Sequence, residues 1–72
     1  MLVAAGEVKG RNLLPGMYAE VYPGTGIWKE VEEVRTDAET GLIFTRFAQA
    51  PSGRFVVFFP DAPIAIAREE FD

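Results

Sequence analysis

The chain reads NLLPGMYAEVYPGTGIW from Asn12 to Trp28, with two Pro-Gly pairs that lie eight residues apart. Proline at the second position of a turn and glycine at the third are typical of a type II turn, so Pro15-Gly16 predicts a chain reversal. The sequence PGTG, from Pro23 to Gly26, predicts the next reversal. Between them, Met17 to Tyr22 alternates between two kinds of side chain, which is the period of a β-strand.

The two faces of this predicted strand differ in chemistry. The face predicted to line a core carries Met17, Ala19 and Val21. The opposite face carries Tyr18, Glu20 and Tyr22. Because the core does not require the second set, it is the first candidate for a binding surface.

Glycine and proline divide the rest of the chain into similarly short blocks, which is typical of an all-β sandwich or barrel. We predict strands at Leu2 to Val8, Met17 to Tyr22, Ile27 to Arg35, Leu42 to Phe47, Phe55 to Phe59 and Ile64 to Ile66. Closing such strands on themselves removes exposed sheet edges. The predicted fold is therefore a single all-β domain over residues 1–72, a small closed or nearly closed barrel of five to six short antiparallel strands. The charged tail, Arg68 to Asp72, is expected to fray.

The segment from Ile27 to Arg35 allows two interpretations. The apolar residues at helical spacing are Ile27, Val31 and Val34. The following TDAETG, however, is typical of a hairpin loop with Gly41 in the left-handed conformation, which favours a strand. A bulge near Lys29 and Glu30 would align Trp28 and Val31 with one core. A short helix remains the alternative.

The block from Phe55 to Phe59 is apolar throughout, which suits a central strand covered on both faces or a strand that crosses between the two sheets of a barrel. One barrel of 72 residues offers a single interior, and the burial available to so short a chain barely offsets the entropy of ordering it. We therefore predict a homodimer that buries Phe55, Val57 and Phe59.

Composition excludes several classes of protein. The chain has no Cys and no His, so disulfides and zinc sites lack their usual ligands. Its formal net charge of −4 disfavours nonspecific binding to a phosphate backbone. The opening MLVAAGEVKG is apolar for only five residues and has no basic start, so it fits neither a signal peptide nor a membrane span. We expect a soluble cytoplasmic protein.

The sequence predicts no catalytic or metal site. Ser52 is the only serine, and no His or Cys is present to activate it. The acids Glu30, Glu32 and Glu33 are better explained as a solvated strand face than as an acid–base pair. Asp37 and Glu39 fit a hairpin loop better than a calcium loop, which needs acids at several alternate positions. We expect neither an enzyme nor a bound cofactor.

Four segments carry a resemblance to a known group of proteins. In this order, NLLPGM, IWKEVEEV, DAETGLIFTRF and PIAIAR resemble small SH3-like barrel proteins of actinobacteria and their bacteriophages. The resemblance extends from about Asn12 to Arg68, although Met17 stands where such chains usually have Asp. It implies an SH3-like fold and a phage or actinobacterial source, and it carries over no catalytic residue.

The function that these patterns favour is a non-enzymatic protein-interaction module. Tyrosine suits an interface because its ring buries apolar area while its hydroxyl stays hydrogen-bonded, and acids at the rim would select basic partners. The candidate partner-binding residues are Tyr18, Glu20, Tyr22, Trp28 and Phe47. The plainer alternative is that one tyrosine caps the barrel and the other is an ordinary surface residue.

A nucleic-acid-associated accessory protein is the second candidate. Aromatic side chains on barrel strands can stack on bases, provided that basic residues lie beside them. Arg46, Arg54 and Arg68 would supply a basic patch if their strands are adjacent.

Overall fold

The computed structural model describes residues 1–50 and 54–71. The strands are β1 (Leu2–Lys9), β2 (Tyr18–Glu20), β3 (Trp28–Thr36), β4 (Ile43–Phe47), β5 (Val56–Phe58) and β6 (Pro63–Glu69). A single 3-10 turn, Gly10–Asn12, follows β1. The predicted turn at residues 51–53, with Ser52, lies outside the described residues. Among the residues that the structure describes, no helix is long and apolar enough to cross a membrane.

The six strands form one antiparallel sheet in the order β1-β6-β2-β3-β4-β5, which confirms the predicted all-β fold class. Within the described ranges no ladder joins β1 to β5, so the sheet is not closed by hydrogen bonds. All six strands nevertheless contribute to one apolar cluster, from Val8 on β1 to Phe58 on β5. A sheet whose two edge strands share a core must wrap around it, which is compatible with a small barrel.

The 3-10 turn fastens β1 to the connection between β5 and β6. The amides of Gly10 and Arg11 donate to the carbonyls of Ala62 and Pro60, each at 2.9 Å. A Cβ at Gly10 would collide with the carbonyl oxygen of Phe59. Glycine is therefore required at this close approach of two backbones.

The predicted type II turn at Pro15-Gly16 is confirmed. The amide of Met17 donates to the carbonyl of Leu14 at 3.2 Å, and Gly16 has a φ of +94°. The chain then enters β2, whose Ala19 is completely buried. Strand β2 is shorter than predicted, because the carbonyl of Tyr22 turns to accept hydrogen bonds from the amide and the hydroxyl of Thr25, at 3.3 and 2.8 Å.

Strand β3 settles the choice between strand and helix in favour of the strand, but the predicted position of its bulge was wrong. The register is regular from Trp28 to Glu30 and shifts between Val31 and Glu33. Alternation is therefore unbroken over the first four residues, and Trp28 faces away from the core side that holds the fully buried Val31. The expectation that both line one core was wrong for this reason.

Strand β5 is an edge strand, so the prediction of a central strand covered on both faces was also wrong. Only Val56–Phe58 pairs with β4, and Pro60 then turns the chain away. On the inner side, the ring of Phe58 meets that of Phe47 edge to face, at 6.5 Å between centroids. The side chain of Val57 points outward and is 47% exposed.

Strand β6 extends further than the charge pattern predicts. Arg68 and Glu69 pair with Val3 and Leu2 on β1, so the ladder continues two residues into the segment that was expected to fray. Pairing with a long neighbour supplies hydrogen bonds that the sequence of the tail does not reveal. Ile64, at the other end of β6, belongs to the buried core as predicted.

Candidate binding cleft

A surface cleft of about 560 Å³ opens where β3 begins and β4 ends. Its apolar walls include Val21, Ile27, Phe47, Phe55 and Val56. The volume lies within the range of about 300–1,000 Å³ that is common for small-ligand sites. We call this feature the cleft throughout.

The rim of the cleft is formed by Tyr22 and Ile27, which flank the PGTG loop. Their side chains are 68% and 55% exposed, respectively. The loop between them is fixed by Glu20, whose carboxylate accepts hydrogen bonds from the amides of Gly24 at 2.9 Å and Gly26 at 2.8 Å. Glu20 therefore has a structural role that sequence analysis did not foresee, and the loop presents two exposed apolar side chains from a defined backbone.

Polar residues also line the cleft, among them Lys29, Thr45 and Arg54. Lys29 pairs with the buried Ala19, which puts it on the core side of the sheet. It precedes Val31, on the same face of β3, by two residues. Thr45 lies on the core side of β4 and is completely buried. Its hydroxyl has no hydrogen-bond partner among the described residues.

The turn that follows β4 gives the cleft a strained edge. Gln49 lines the cleft and has a φ of +66°, a left-handed conformation that side chains other than glycine adopt at a cost. The turn is held by the amides of Ala48 and Ala50, which donate to the carbonyls of Glu30 at 2.8 Å and Phe47 at 3.2 Å.

The five predicted partner-binding residues do not form one surface. Tyr18, Glu20 and Trp28 lie together on the outer face, because Glu20 pairs with Trp28 in the β2–β3 ladder. Tyr22 lies at the rim of the cleft instead. Phe47 lies on the same face of β4 as Ile43, which is the core face. It is only 3% exposed and therefore does not contribute to an outer surface.

The predicted self-association residues lie at the β5 edge. Phe55 packs edge to face on Phe44, at 6.4 Å between centroids, and the guanidinium of Arg35 stands 5.6 Å from the Phe55 ring. Val57 is 47% exposed and Phe59 is 72% exposed. Self-association through these residues stays a prediction.

The outer face of β3 and β4 carries a network of ion pairs. Arg46 contacts Glu32 at 2.6 Å and Glu33 at 3.4 Å, and Arg35 also pairs with Glu33. The hydrogen bond from Arg35 lowers the pKa of Glu33 below its ordinary value of 4.5, with Arg46 adding to the effect and partial burial opposing it.

The predicted basic patch does not form on adjacent strands. Arg46 lies on β4 and Arg68 on β6, and two strands separate them in the sheet. Arg46 is also committed to the two glutamates of the ion-pair network. Of the three arginines, only Arg54 lines the cleft.

The TDAETG loop is a hairpin, as predicted. The carboxylate of Asp37 accepts hydrogen bonds from the hydroxyl and amide of Thr40 and from the amide of Glu39, and Gly41 has a φ of +75°. The hydroxyl of Thr40 and these amides lower the pKa of Asp37 below its ordinary value of 3.8. Over residues 1–50 and 54–71, no group of three or more potential metal ligands is present.

The sequence does not reveal that Lys29, Thr45 and Arg54 line one cleft. Lys29 and Val31 are two residues apart, so unbroken alternation would have placed Lys29 on the core side; the predicted bulge concealed this. Thr45 is in phase with Ile43 and Phe47 in the alternation of β4, but its isolation from other polar groups is a tertiary property. Nothing in the sequence around Arg54 indicates its position.

Comparisons with known protein families, with curated proteins and with solved structures find no match for this chain. The resemblance to actinobacterial and phage barrels therefore stays a prediction. The fold and the cleft define a small all-β domain with a surface site, and the functional argument rests on that site alone.

Proposed function

We propose that the chain is a non-enzymatic protein-interaction module that holds an extended segment of a partner protein in the cleft. The observation that carries this proposal is the exposure of Tyr22 and Ile27 at the rim, 68% and 55%, on a loop that Glu20 fixes. Tyrosine is enriched at binding hot spots because it buries a large area at a low entropic cost.

The shape and lining of the cleft support a peptide as occupant. Phe55 and Val56 extend its apolar wall as far as the edge strand β5. Extended segments are commonly held by aromatic-lined grooves and by free sheet edges. A rim fixed before binding also reduces the entropy lost on association.

Selection of a random heptapeptide library against the immobilised chain tests this proposal. We expect enriched peptides whose binding is lost in the double variant Tyr22→Ala, Ile27→Ala. The matched control is Leu14→Ala, since Leu14 is 59% exposed and does not line the cleft. Absence of enrichment, or equal losses in the control, would contradict the proposal.

A nucleic-acid-associated role is the second candidate, and the specific observation in its favour is that Lys29 and Arg54 lie beside Tyr22 in the cleft. Two cations can neutralise few phosphates, and the net charge of −4 repels a polyanion. Binding to single-stranded DNA that weakens steeply between low and moderate salt would favour this candidate.

A homodimer through the β5 edge is a separate proposal. Val57 and Phe59 are exposed there, and the backbone of β5 pairs with β4 on one side only. Exposed apolar edge strands readily pair with another chain. Light scattering should give twice the monomer mass at micromolar concentration, and Val57→Lys should restore the monomer; a wild-type monomer would contradict the dimer.

A further inference from the structure

We propose that the cleft recognises an acidic side chain of the bound segment, with its carboxylate held by Lys29 and Arg54 and hydrogen-bonded by Thr45. This inference rests on the proposed function and adds the chemistry of the partner. It is opposite in sign to the sequence-based expectation, in which acids at the rim select a basic partner.

The first argument is the distribution of ion pairs. The chain has seven basic side chains, and within residues 1–50 and 54–71 five of them pair with acids. Lys29 and Arg54 form no ion pair with a described residue, and both line the cleft. The positive charge that the described acids leave unmatched is therefore concentrated in one place.

The second argument is the lack of carboxylates around this charge. The chain has eleven acids, yet none of the described residues that line the cleft is an acid. In a chain with more acids than bases, a cleft with two cations and no acid has a potential opposite to that of the whole molecule. Hydrogen bonds from Lys or Arg to a carboxylate are charge-assisted, and they are about twice as strong as hydrogen bonds between neutral groups.

The third argument is the hydroxyl of Thr45. Thr45 is completely buried between Ile43 and Phe47 on the core side of β4, where valine would have the same shape. Its oxygen has no partner among the described residues, and an unsatisfied buried hydroxyl is costly. Thr45 lines the cleft although none of its surface is exposed, so a carboxylate in the cleft accepts from this O–H group once the side chains that cover it move aside.

The apolar walls favour a peptide over a nucleic acid as the source of the anion. A segment with one acidic residue beside apolar ones matches two cations set among Val21, Ile27 and Phe47. A phosphate backbone would bring many charges to a chain of net charge −4 and would leave most of them unmatched. The cleft is open at the surface, so an extended segment can lie along it.

The test uses the peptides selected above, synthesised with both ends blocked, each with its acidic residue or with the neutral amide analogue. We expect acidic residues to be enriched and the amide analogue to bind about tenfold more weakly or worse. Lys29→Gln and Arg54→Gln should each reduce this difference. Arg68→Gln should preserve it, because it removes the same charge from an exposed arginine outside the cleft.

The Thr45→Val variant tests the third contact without a large risk to folding, since it places an apolar group of the same shape in the core. It should weaken the acidic peptide several-fold and leave the amide analogue less affected. Equal losses for both peptides would overturn the role of the hydroxyl.

Other outcomes separate this inference from the proposed function. Enrichment of neutral or basic peptides that still require Tyr22 and Ile27 would overturn the acidic partner and leave the interaction module intact. No enrichment would overturn both. Single-stranded DNA that binds more tightly than the best peptide, and loses binding in Lys29→Gln, would overturn the peptide in favour of a nucleic acid.

Discussion

The two ends of the β3–β4 hairpin differ in whether their polar side chains have hydrogen-bond partners within the fold. At the loop end, Asp37 accepts hydrogen bonds from Thr40 and Glu39, and the hydroxyl of Thr40 accepts one from the amide of Leu42. At the cleft end, Thr45 has no described partner and Lys29 has no described ion pair. Polar groups that stabilise a fold are satisfied within it, whereas groups kept for a ligand are satisfied only when the ligand is bound. The loop end is architecture, and the cleft end is the candidate site.

The largest expected effect concerns the core that both ends share. Phe47→Ala should destabilise the chain by about 3–5 kcal/mol, because the ring is buried and packs against Phe58. Ile43→Ala, at the loop end of the same strand, should cost about 2–5 kcal/mol. Urea unfolding measures both. A loss below about 1 kcal/mol for Phe47→Ala would show that the core stops short of the cleft.

The next effect has opposite signs at the two ends. Thr45→Val should stabilise the free chain by about 1–3 kcal/mol, because it removes an unsatisfied buried hydroxyl. Thr40→Val should destabilise it by about 0.5–1.5 kcal/mol, because that hydroxyl donates to Asp37 and accepts from the amide of Leu42. The same substitution therefore serves as its own control. Thermal unfolding that gives both variants the same sign would break the comparison.

Acid should loosen the loop end before the cleft end. The pKa of Asp37 is lowered in the folded chain from its ordinary value of 3.8, chiefly by the hydrogen bond from the hydroxyl of Thr40. The contribution of Asp37 to stability is fully present above that value and is lost as the pH falls through the lowered folded value. Among the described residues that line the cleft there is no carboxylate whose protonation would loosen that end.

Amide hydrogen exchange as a function of pH measures this difference. Protection at residues 37–42 should fall at a higher pH than protection at residues 45–48. Asp37→Asn should remove part of the pH dependence. Simultaneous loss of protection at both ends would indicate global unfolding instead.

The smallest effect is expected at the rim. Tyr22→Ala should change the free energy of unfolding by no more than about 0.5 kcal/mol, since a largely exposed side chain contributes little to the fold. Leu14→Ala, at a similarly exposed residue, should behave in the same way. Urea unfolding is again the measurement. A larger loss for Tyr22→Ala would mean that the tyrosine supports the PGTG loop rather than a partner.

Local patterns were sufficient where turn chemistry and alternation act alone. The Pro15-Gly16 turn and the TDAETG hairpin follow from the conformations that proline and glycine allow. The division of β4 into two faces follows from the period of two. Trp28 was misplaced because a bulge was assumed where the strand is regular, and a shift of one residue moves a side chain to the other face.

The edge position of β5 could not be predicted from its composition. An apolar run such as Phe55 to Phe59 is equally compatible with a central strand, and only the pairing order decides which neighbours it has. The same limit applies to the tail, where Arg68 and Glu69 are ordered by pairing with β1. Pairing partners far apart in sequence leave no local signal.

By itself, the sequence determined the all-β fold class, the Pro15-Gly16 and TDAETG turns and the inward face of β2, because these depend on backbone conformations and on side-chain period. The tertiary structure alone decided the strand order, the burial of Phe47 and the assembly of Lys29, Thr45 and Arg54 around one cleft. These three residues come from two strands and a connecting segment, and only the folding of the sheet around its core brings them together. The stretch from Asn12 to Trp28 thus provides both the first corner of the fold and, at Tyr22 and Ile27, the rim of its candidate site.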